Sequence, residues 1–402
     1  MDNIVQGRLG DCWFLSAVAV YATKYDIRNI IITDRFNEEG VYTVRFHRQG
    51  QWVQVVVDDW IPCDKNGRPA FSHSKNDGEF WIGILEKAYA KLHGSYEALE
   101  GGLVQDALVD LTGGAGEEID LTNPEAKLDL ASGKLWKRVL RFYANGYLLA
   151  AGSPSGADSE VSEAGIVQGH AYAILQVVEV DGHQLLQLRN PWANEVSWTG
   201  PWSADSAQWT DRMVHKLRFD RNGPAGVFWM SWEDFQLHFA SMYVCRIYPN
   251  NERHMIRDRW QGVSAGGCAN YDTFQNNPQY LLKAKDPTLQ LNVFMTLAQG
   301  VQGPVPTSRA GSLFYIGIRV VRKNGQRIRG VLYSRENMGG SSYVNMREVS
   351  CELLLPPYPP GYTIIVSTFQ PGSESQFLLT VYTKAAITLE PLPDGGAQAS
   401  SA

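Results

Sequence analysis

A cysteine at position 12 stands where a glycine-punctuated loop, Gln6-Gly7-Arg8-Leu9-Gly10-Asp11, gives way to an apolar run of helical character from Trp13 to Val20. The N-terminus of a helix carries partial positive charge and unsatisfied backbone N–H groups. That field favours thiolate over thiol and draws a cysteine below its free pKa of about 8.5. Gln6 adds a side-chain amide to the same segment, a donor suited to a developing oxyanion. Nucleophile, oxyanion donor and helix dipole in one stretch describe acyl transfer. Read alone, Cys12 serves equally well as a buried small hydrophobe, which is what most cysteines are. Its partners must decide.

Of the eight histidines, His170 has the most telling surroundings. The run Gln168-Gly169-His170-Ala171-Tyr172-Ala173-Ile174-Leu175 puts it at the mouth of a strand, with Gly169 leaving room for an approaching group. It can keep Cys12 ionised and later protonate a leaving amine. Farther on, a paired strand ends at Leu188-Arg189-Asn190-Pro191-Trp192. Asn190 can hold the imidazole's tautomer, and Trp192 can shield that hydrogen bond from water. Cysteine, histidine and asparagine in this chain order make a papain-type triad. Each residue alone is weak; the three together carry the assignment.

Elements must bring these residues together. Residues 40–46 and 51–59 read as a hairpin turning at Gln49-Gly50, and 80–92 as a strong helix. Beyond Gly113-Gly114 come a helix over 135–143 and strands over 147–151, 171–177 and 184–189, with a segment at 152–156 expected to be mobile. From about 250 the pattern is β only, with runs at 279–282, 289–296, 313–321, 352–355, 362–367 and 377–382 at sandwich spacing. The fold class is α+β. The boundaries so read are 1–102 for a mostly helical first lobe with the nucleophile, 103–248 for a strand-rich second lobe with His170 and Asn190, 249–392 for a β-sandwich and 393–402 for a disordered tail.

Totals narrow the class further. At 402 residues the chain can hold two or three cores, and 44% hydrophobic with 19% charged residues is globular composition. The net charge of −6 excludes a general nucleic-acid binder. It is uneven: residues 250–393 carry 14 Lys+Arg against 9 Asp+Glu, the reverse of the rest of the chain. The five cysteines (Cys12, Cys63, Cys245, Cys268, Cys351) are widely spaced, odd in number and never in a CxxC pattern. That argues against disulfide or zinc frameworks and for a reducing compartment. The chain in hand carries neither a transmembrane run nor a signal peptide. Met1 lies so close to the reactive stretch that a piece of a longer protein is expected.

Gln6-Gly7-Arg8-Leu9-Gly10-Asp11-Cys12-Trp13, Gly169-His170-Ala171-Tyr172 and Arg189-Asn190-Pro191-Trp192 resemble the three active-site blocks of the calpains. Val57-Asp58-Asp59, Glu79-Phe80-Trp81, Leu85-Glu86-Lys87-Ala88-Tyr89-Ala90-Lys91, Tyr96 through Gly102 and Phe228-Trp229-Met230-Ser231-Trp232 resemble supporting calpain blocks. The likeness covers essentially the whole chain. Residues 7–20 and 108–120 are most similar to the plant phytocalpain of the defective-kernel type. The resemblance implies a papain-like two-lobed protease core followed by a C2-like β-sandwich, without the calmodulin-like EF-hand domain of other calpains. It implies a cytoplasmic cysteine endopeptidase making limited cuts at extended or disordered sites in protein substrates. Gly102, Gly169 and Trp192 would line the substrate cleft, and Gln6 with the Cys12 backbone N–H would form the oxyanion hole. The protease end of a phytocalpain belongs to a large membrane-anchored chain from which autolysis releases it.

Calpain cores bind one Ca²⁺ per lobe, and the chain departs from that pattern. Glu79 matches a first-lobe ligand, but Asn3 replaces the usual aspartate. In the second lobe Ser197, Ala204 and Ala225 replace three carboxylates; Asp205 and Glu195 are the shifted acids that would have to compensate. Carboxylates supply most of the affinity for this hard cation. The expectation is a lost second site, a weakened first site and a protease that requires no cofactor. The rival is a catalytically silent relative acting as a scaffold or lipid-binding regulator; the intact triad residues count against it. The basic sandwich would either touch acidic phospholipid or clamp the protease, and its scattered cations favour the clamp.

Overall fold

The computed structural model describes residues 4–76, 78–157, 159–192, 196–300 and 313–393. Two units, residues 1–247 and 248–402, each carry cores of their own.

The first unit begins with a two-residue strand β1 (Ile4–Val5) and helix α1 (Cys12–Lys24), in which every residue from Trp13 to Tyr21 is buried. A helix apolar on all sides belongs inside a core. The hairpin β2 (Val41–Arg48) and β3 (Gln51–Asp58) turns at Gln49 and Gly50, both at positive φ (46° and 79°), as a two-residue primed turn needs. A short strand β4 (His73–Ser74) pairs antiparallel with β1, and helices α2 (Trp81–His93) and α3 (Val104–Thr112) follow. Val104, Ala107, Leu108 and Leu111 join Phe14, Leu85 and Tyr89 in one core, so residues just past 102 pack with the first hundred.

A six-stranded antiparallel sheet carries the rest of the unit. Its strands are β5 (Ala115–Asp120), β6 (Leu148–Gly152), β7 (Ala171–Val180), β8 (His183–Arg189), β9 (Val227–Ser231) and β10 (Ser241–Arg246), in the order β5-β10-β6-β7-β8-β9. The helices around it are α4 (Pro124–Ala131), α5 (Lys134–Ala144), α6 (Asp211–Leu217) and α7 (Trp232–His238). Alternation along the strands divides the two faces. Leu148, Ala150, Ala171 and Ala173 join the α1 core, whereas Leu149, Ala151, Tyr172 and Ile174 join a second core with Trp136 and Phe235. Small alanines on the first face let the bulky α1 lie close to the sheet.

The second unit is all β. One sheet orders β11 (Arg253–Trp260), β19 (Ser375–Tyr382), β13 (Leu291–Gln299) and β17 (Glu348–Leu355). The other orders β15 (Asn337–Gly340), β14 (Tyr315–Val321), β18 (Tyr362–Thr368), β12 (Gln279–Ala284) and β20 (Ile387–Pro391), with β16 (Val344–Asn345) on β14. Met295 and Leu379 from the first sheet share a core with Ile318 and Ile364 from the second. Part of the expected run at 313–321 is β14; β11 escapes the sequence reading because its exposed positions carry Arg257, Asp258 and Arg259.

Candidate active site

Cys12 is the first residue of α1 and half-buried. The Asp11 carbonyl accepts the Phe14 and Leu15 N–H groups at 2.9 and 3.1 Å, closing the first turn around it. Trp13 anchors the same turn by donating its indole N–H to the Leu99 carbonyl at 2.9 Å. A Cβ at Gly102 would lie 2.4 Å from that indole, and the Gly101 N–H donates to the Gly10 carbonyl at 3.0 Å. The glycine pair is therefore what allows the nucleophile's helix to start where it does.

His170 immediately precedes β7 and is only 2% exposed. Its Nε2 lies 2.9 Å from Asn190 Oδ1, which also accepts the Trp192 backbone N–H at 3.0 Å. That second donor fixes the Asn190 oxygen towards the ring, so Nε2 carries the proton and Nδ1 is the accepting nitrogen. Asn190 is fully buried and its own N–H donates to the Gly226 carbonyl at 2.9 Å. The Trp192 ring lies 4.7 Å from the imidazole at 50°, and Tyr172 meets it edge-on at 5.2 Å. Two aromatic rings thus shelter one hydrogen bond from water.

The segment expected to be mobile is tied to this histidine. Ser153 N–H donates to the His170 carbonyl at 3.0 Å, and Ser153 Oγ accepts the His170 N–H at 2.9 Å. Gly169, at φ 58°, sits with its Cβ position 2.2 Å from the Gly156 carbonyl oxygen, so no side chain fits there. The reason for that glycine is backbone contact with 154–156 as well as any approach of a substrate.

The nucleophile opens α1 and the base directly precedes β7, and the two elements are joined by a buried bond from Ser16 Oγ to the Ala171 carbonyl at 2.9 Å. Ser16 stands one turn after Cys12 on the same helix face, and Ala171 adjoins His170. Cys12 is also close enough to Tyr172 that its charge helps burial raise the phenol's pKa. Neither Ser16 nor Tyr172 emerges from the sequence as a site residue, though Tyr172 two positions after His170 falls on the same strand face.

Gln6 is half-buried and its Nε2 donates to the Leu9 carbonyl at 2.8 Å, which leaves the amide a second N–H to give. The segment around it is fixed by the β1–β4 ladder just before it and by the Arg8 N–H bond to the Ala70 carbonyl at 3.1 Å.

Comparison with known proteins settles the family. A family model described as "Calpain family cysteine protease" matches residues 1–246, more than half the chain, and one described as "Calpain large subunit, domain III" matches residues 256–382. The chain belongs to the calpain family. It is 58% identical over 399 residues to the calpain-type cysteine proteases ADL1 of Oryza sativa subsp. japonica and DEK1 of Zea mays, covering 97% of this chain and 18% of each relative. It is 35% identical over 426 residues to Calpain-5 of Mus musculus, covering 95% of this chain and 65% of that protein. The chain thus spans under a fifth of the length of the plant relatives. The clostridial cysteine protease Cwp84 aligns at a TM-score of 0.24 and 10% identity over 94% of this chain and 83% of its own, a likeness that carries no argument.

The Ca²⁺ positions of this calpain do not fit a hard cation well. Asn3 and Glu195 lie outside the described residues. Glu79 is exposed and already accepts from Ser74 Oγ at 2.7 Å and Asn76 Nδ2 at 2.9 Å. Those two hydrogen bonds, Asn76 first, hold its carboxyl below the ordinary range. Ala204 and Ala225 are exposed methyls, Asp205 is exposed, and Ser197 is half-buried with its carbonyl set against Gly165. Among the described residues no three His, Cys, Asp or Glu side chains converge as metal ligands. Among the described residues at these positions, Glu79 and Asp205 are the carboxylates that could serve a hard cation.

Proposed function

We propose that this chain is an intracellular cysteine endopeptidase, papain-like in its two lobes and C2-like in its β-sandwich, that makes limited cuts in proteins. The Cys12 thiol gives its proton to His170 Nδ1, the thiolate attacks the scissile carbonyl carbon, a C–S bond forms, and the carbonyl electrons move onto oxygen. Gln6 and the Cys12 backbone N–H stabilise that oxyanion. The proton held at His170 Nδ1 passes to the amine as the C–N bond breaks. Water then attacks the thioester, His170 takes its proton, and the acid product leaves with the thiol restored. Asn190 orients the ring throughout, and Trp192 screens it. The supporting observation is the 2.9 Å His170–Asn190 bond, buried between two aromatic rings and adjoining the helix that begins at Cys12.

Substrates would be proteins with extended or disordered cleavage segments, as the resemblance to calpains implies. Coverage of only 18% of each of two plant relatives supports reading the chain as one part of a larger protein, and a membrane anchor elsewhere in that protein is part of the proposal. Turnover would need little or no Ca²⁺, and the β-sandwich would act as a clamp and not as a phospholipid binder. Covalent labelling by a thiol-directed epoxide tests the reading. Labelling of Cys12 in chelator, lost in His170→Ala, is the expected result. No labelling with or without Ca²⁺ would favour a silent scaffold.

A further inference from the structure

Asp11 precedes the nucleophile and takes the helix N-cap position, where an aspartate ordinarily accepts a helix N–H. Here it makes no such bond. Its carboxyl is wholly buried, no N–H or O–H of another group donates to either oxygen, and its contact is with the carboxyl of Glu86 on α2. Glu86 is itself 1% exposed and accepts the Ser72 N–H through both oxygens, at 3.0 and 3.2 Å. Among the described residues neither acid has a Lys or Arg partner. The ladder register, Ile4 with Ser74 and Val5 with His73, continues to set Gln6 opposite Ser72. Gly7 then lies so close to Phe71 that a Cβ would come within 2.4 Å of its backbone. The strand facing the oxyanion donor is therefore gripped at Ser72 by Glu86, and Glu86 meets the residue next to the nucleophile.

We propose that Asp11 and Glu86 share one proton and, so joined, are positioning residues that hold Gln6 in register with the start of α1. This rests on the cysteine-protease reading of Cys12 and Gln6. Two buried carboxyls in contact, with no Lys or Arg beside them, do not both ionise. The Asp11 hydroxyl donates to Glu86, whose carboxylate keeps the Ser72 N–H as its second donor. Burial and then the Glu86 charge push the Asp11 carboxyl well above its ordinary range. Burial raises the Glu86 carboxyl too, against the Asp11 and Ser72 hydrogen bonds and then His73, which draw it partway back; the other titratable group facing the pair is Tyr96, whose phenol is raised by burial and then by Glu86, Asp58 and Asp11. Because Asp11 is neutral, no anion adjoins Cys12 along the chain, and the positive field of the helix N-terminus is left intact for the thiolate.

The test combines thiol chemistry, infrared spectroscopy and kinetics on the full chain. With Asp11→Asn, a neutral donor replaces a neutral donor, so the pH midpoint of Cys12 alkylation by iodoacetamide should stay within about 0.3 of the parent value. An ionised Asp11 would instead make that midpoint fall by about one unit on substitution, which overturns the proposal. The infrared C=O stretch of a protonated carboxyl should appear in the parent-minus-Asp11→Asn difference spectrum at neutral pH, where Glu118 contributes equally to both chains; its absence from that difference also overturns the proposal. Asp11→Ala should lower kcat about tenfold with KM within about twofold, since an oxyanion donor acts in the transition state. Asp11→Asn should recover most of that loss, and an equal loss in both variants counts against the shared proton. The alkylation and infrared readouts need no peptide turnover. A chain that behaves as stated in both and cleaves nothing refutes the protease reading and leaves the carboxyl pair standing.

Discussion

At the scale of single residues, the strongest constraint on the site is Asn190. Its oxygen receives both the His170 ring N–H and the Trp192 backbone N–H, and the residue has no exposed surface. In Asn190→Ala both donors lose their acceptor in a buried place, and the imidazole can turn to the wrong tautomer. A positioned general base contributes about 10²–10⁴-fold, so kcat/KM on a fluorogenic peptide should fall at least about a hundredfold. Loss of less than about threefold would show that the ring is held by Trp192 and Tyr172 alone. The triad residues were legible because each sits beside a glycine, a helix start or a strand end that gives it a place in chain order. The Asp11–Glu86 contact was not. Nothing in a spacing of 75 positions tells that two carboxyls will meet away from any cation, and acids in sequence read as solvated until burial is seen.

At the scale of elements, α1, α2, the β2–β3 hairpin and strands β6 to β8 were legible because their hydrophobic periods are strong and their turns carry Gly or a Gln-Gly pair. Short helices such as α4, with no buried residue, and strands such as β10, whose pairing partners are distant in sequence, were not. Strand β5 has a consequence for pH. Glu118 on it is pushed up to about 7, by burial first and then by Asp120 and Asp106, against an ordinary value of 4.5. The folded chain thus holds this proton to higher pH than the unfolded chain does. Stability attributable to Glu118 is therefore highest below about 4.5, falls as pH rises towards 7 and is level above it. Glu118→Gln removes the penalty, so urea unfolding at pH 8 should show a gain approaching about 3 kcal/mol, with little change at pH 4. Equal gains at both pH values would mean that packing, not ionisation, is the cause.

At the scale of the whole molecule, the question is what brings the two halves of the protease unit together. In a Ca²⁺-controlled calpain the cation performs that task. Here a continuous apolar seam already does so within residues 1–247: Leu148, Ala150, Ala171 and Ala173 of the sheet share one core with α1, and Ser16 bonds across to Ala171. Opening such a seam would return that apolar surface to water at roughly 25 cal/mol per Å², a cost no ligand is needed to impose. The oxygen donors at the cation positions point the same way, with Glu79 engaged by Ser74 and Asn76 and methyls at Ala204 and Ala225. Peptide turnover in EGTA should therefore stay within about twofold of turnover with added Ca²⁺, because Ser197, Ala204 and Ala225 stand where the resemblance to calpains implies carboxylates. Binding to the folded state would also raise the melting temperature by mass action, so Tm should not move between chelator and millimolar Ca²⁺. Activity abolished by EGTA and restored by micromolar Ca²⁺, with a matching rise in Tm, would show that the seam does not hold the site closed and that acids outside the described residues complete a cation site.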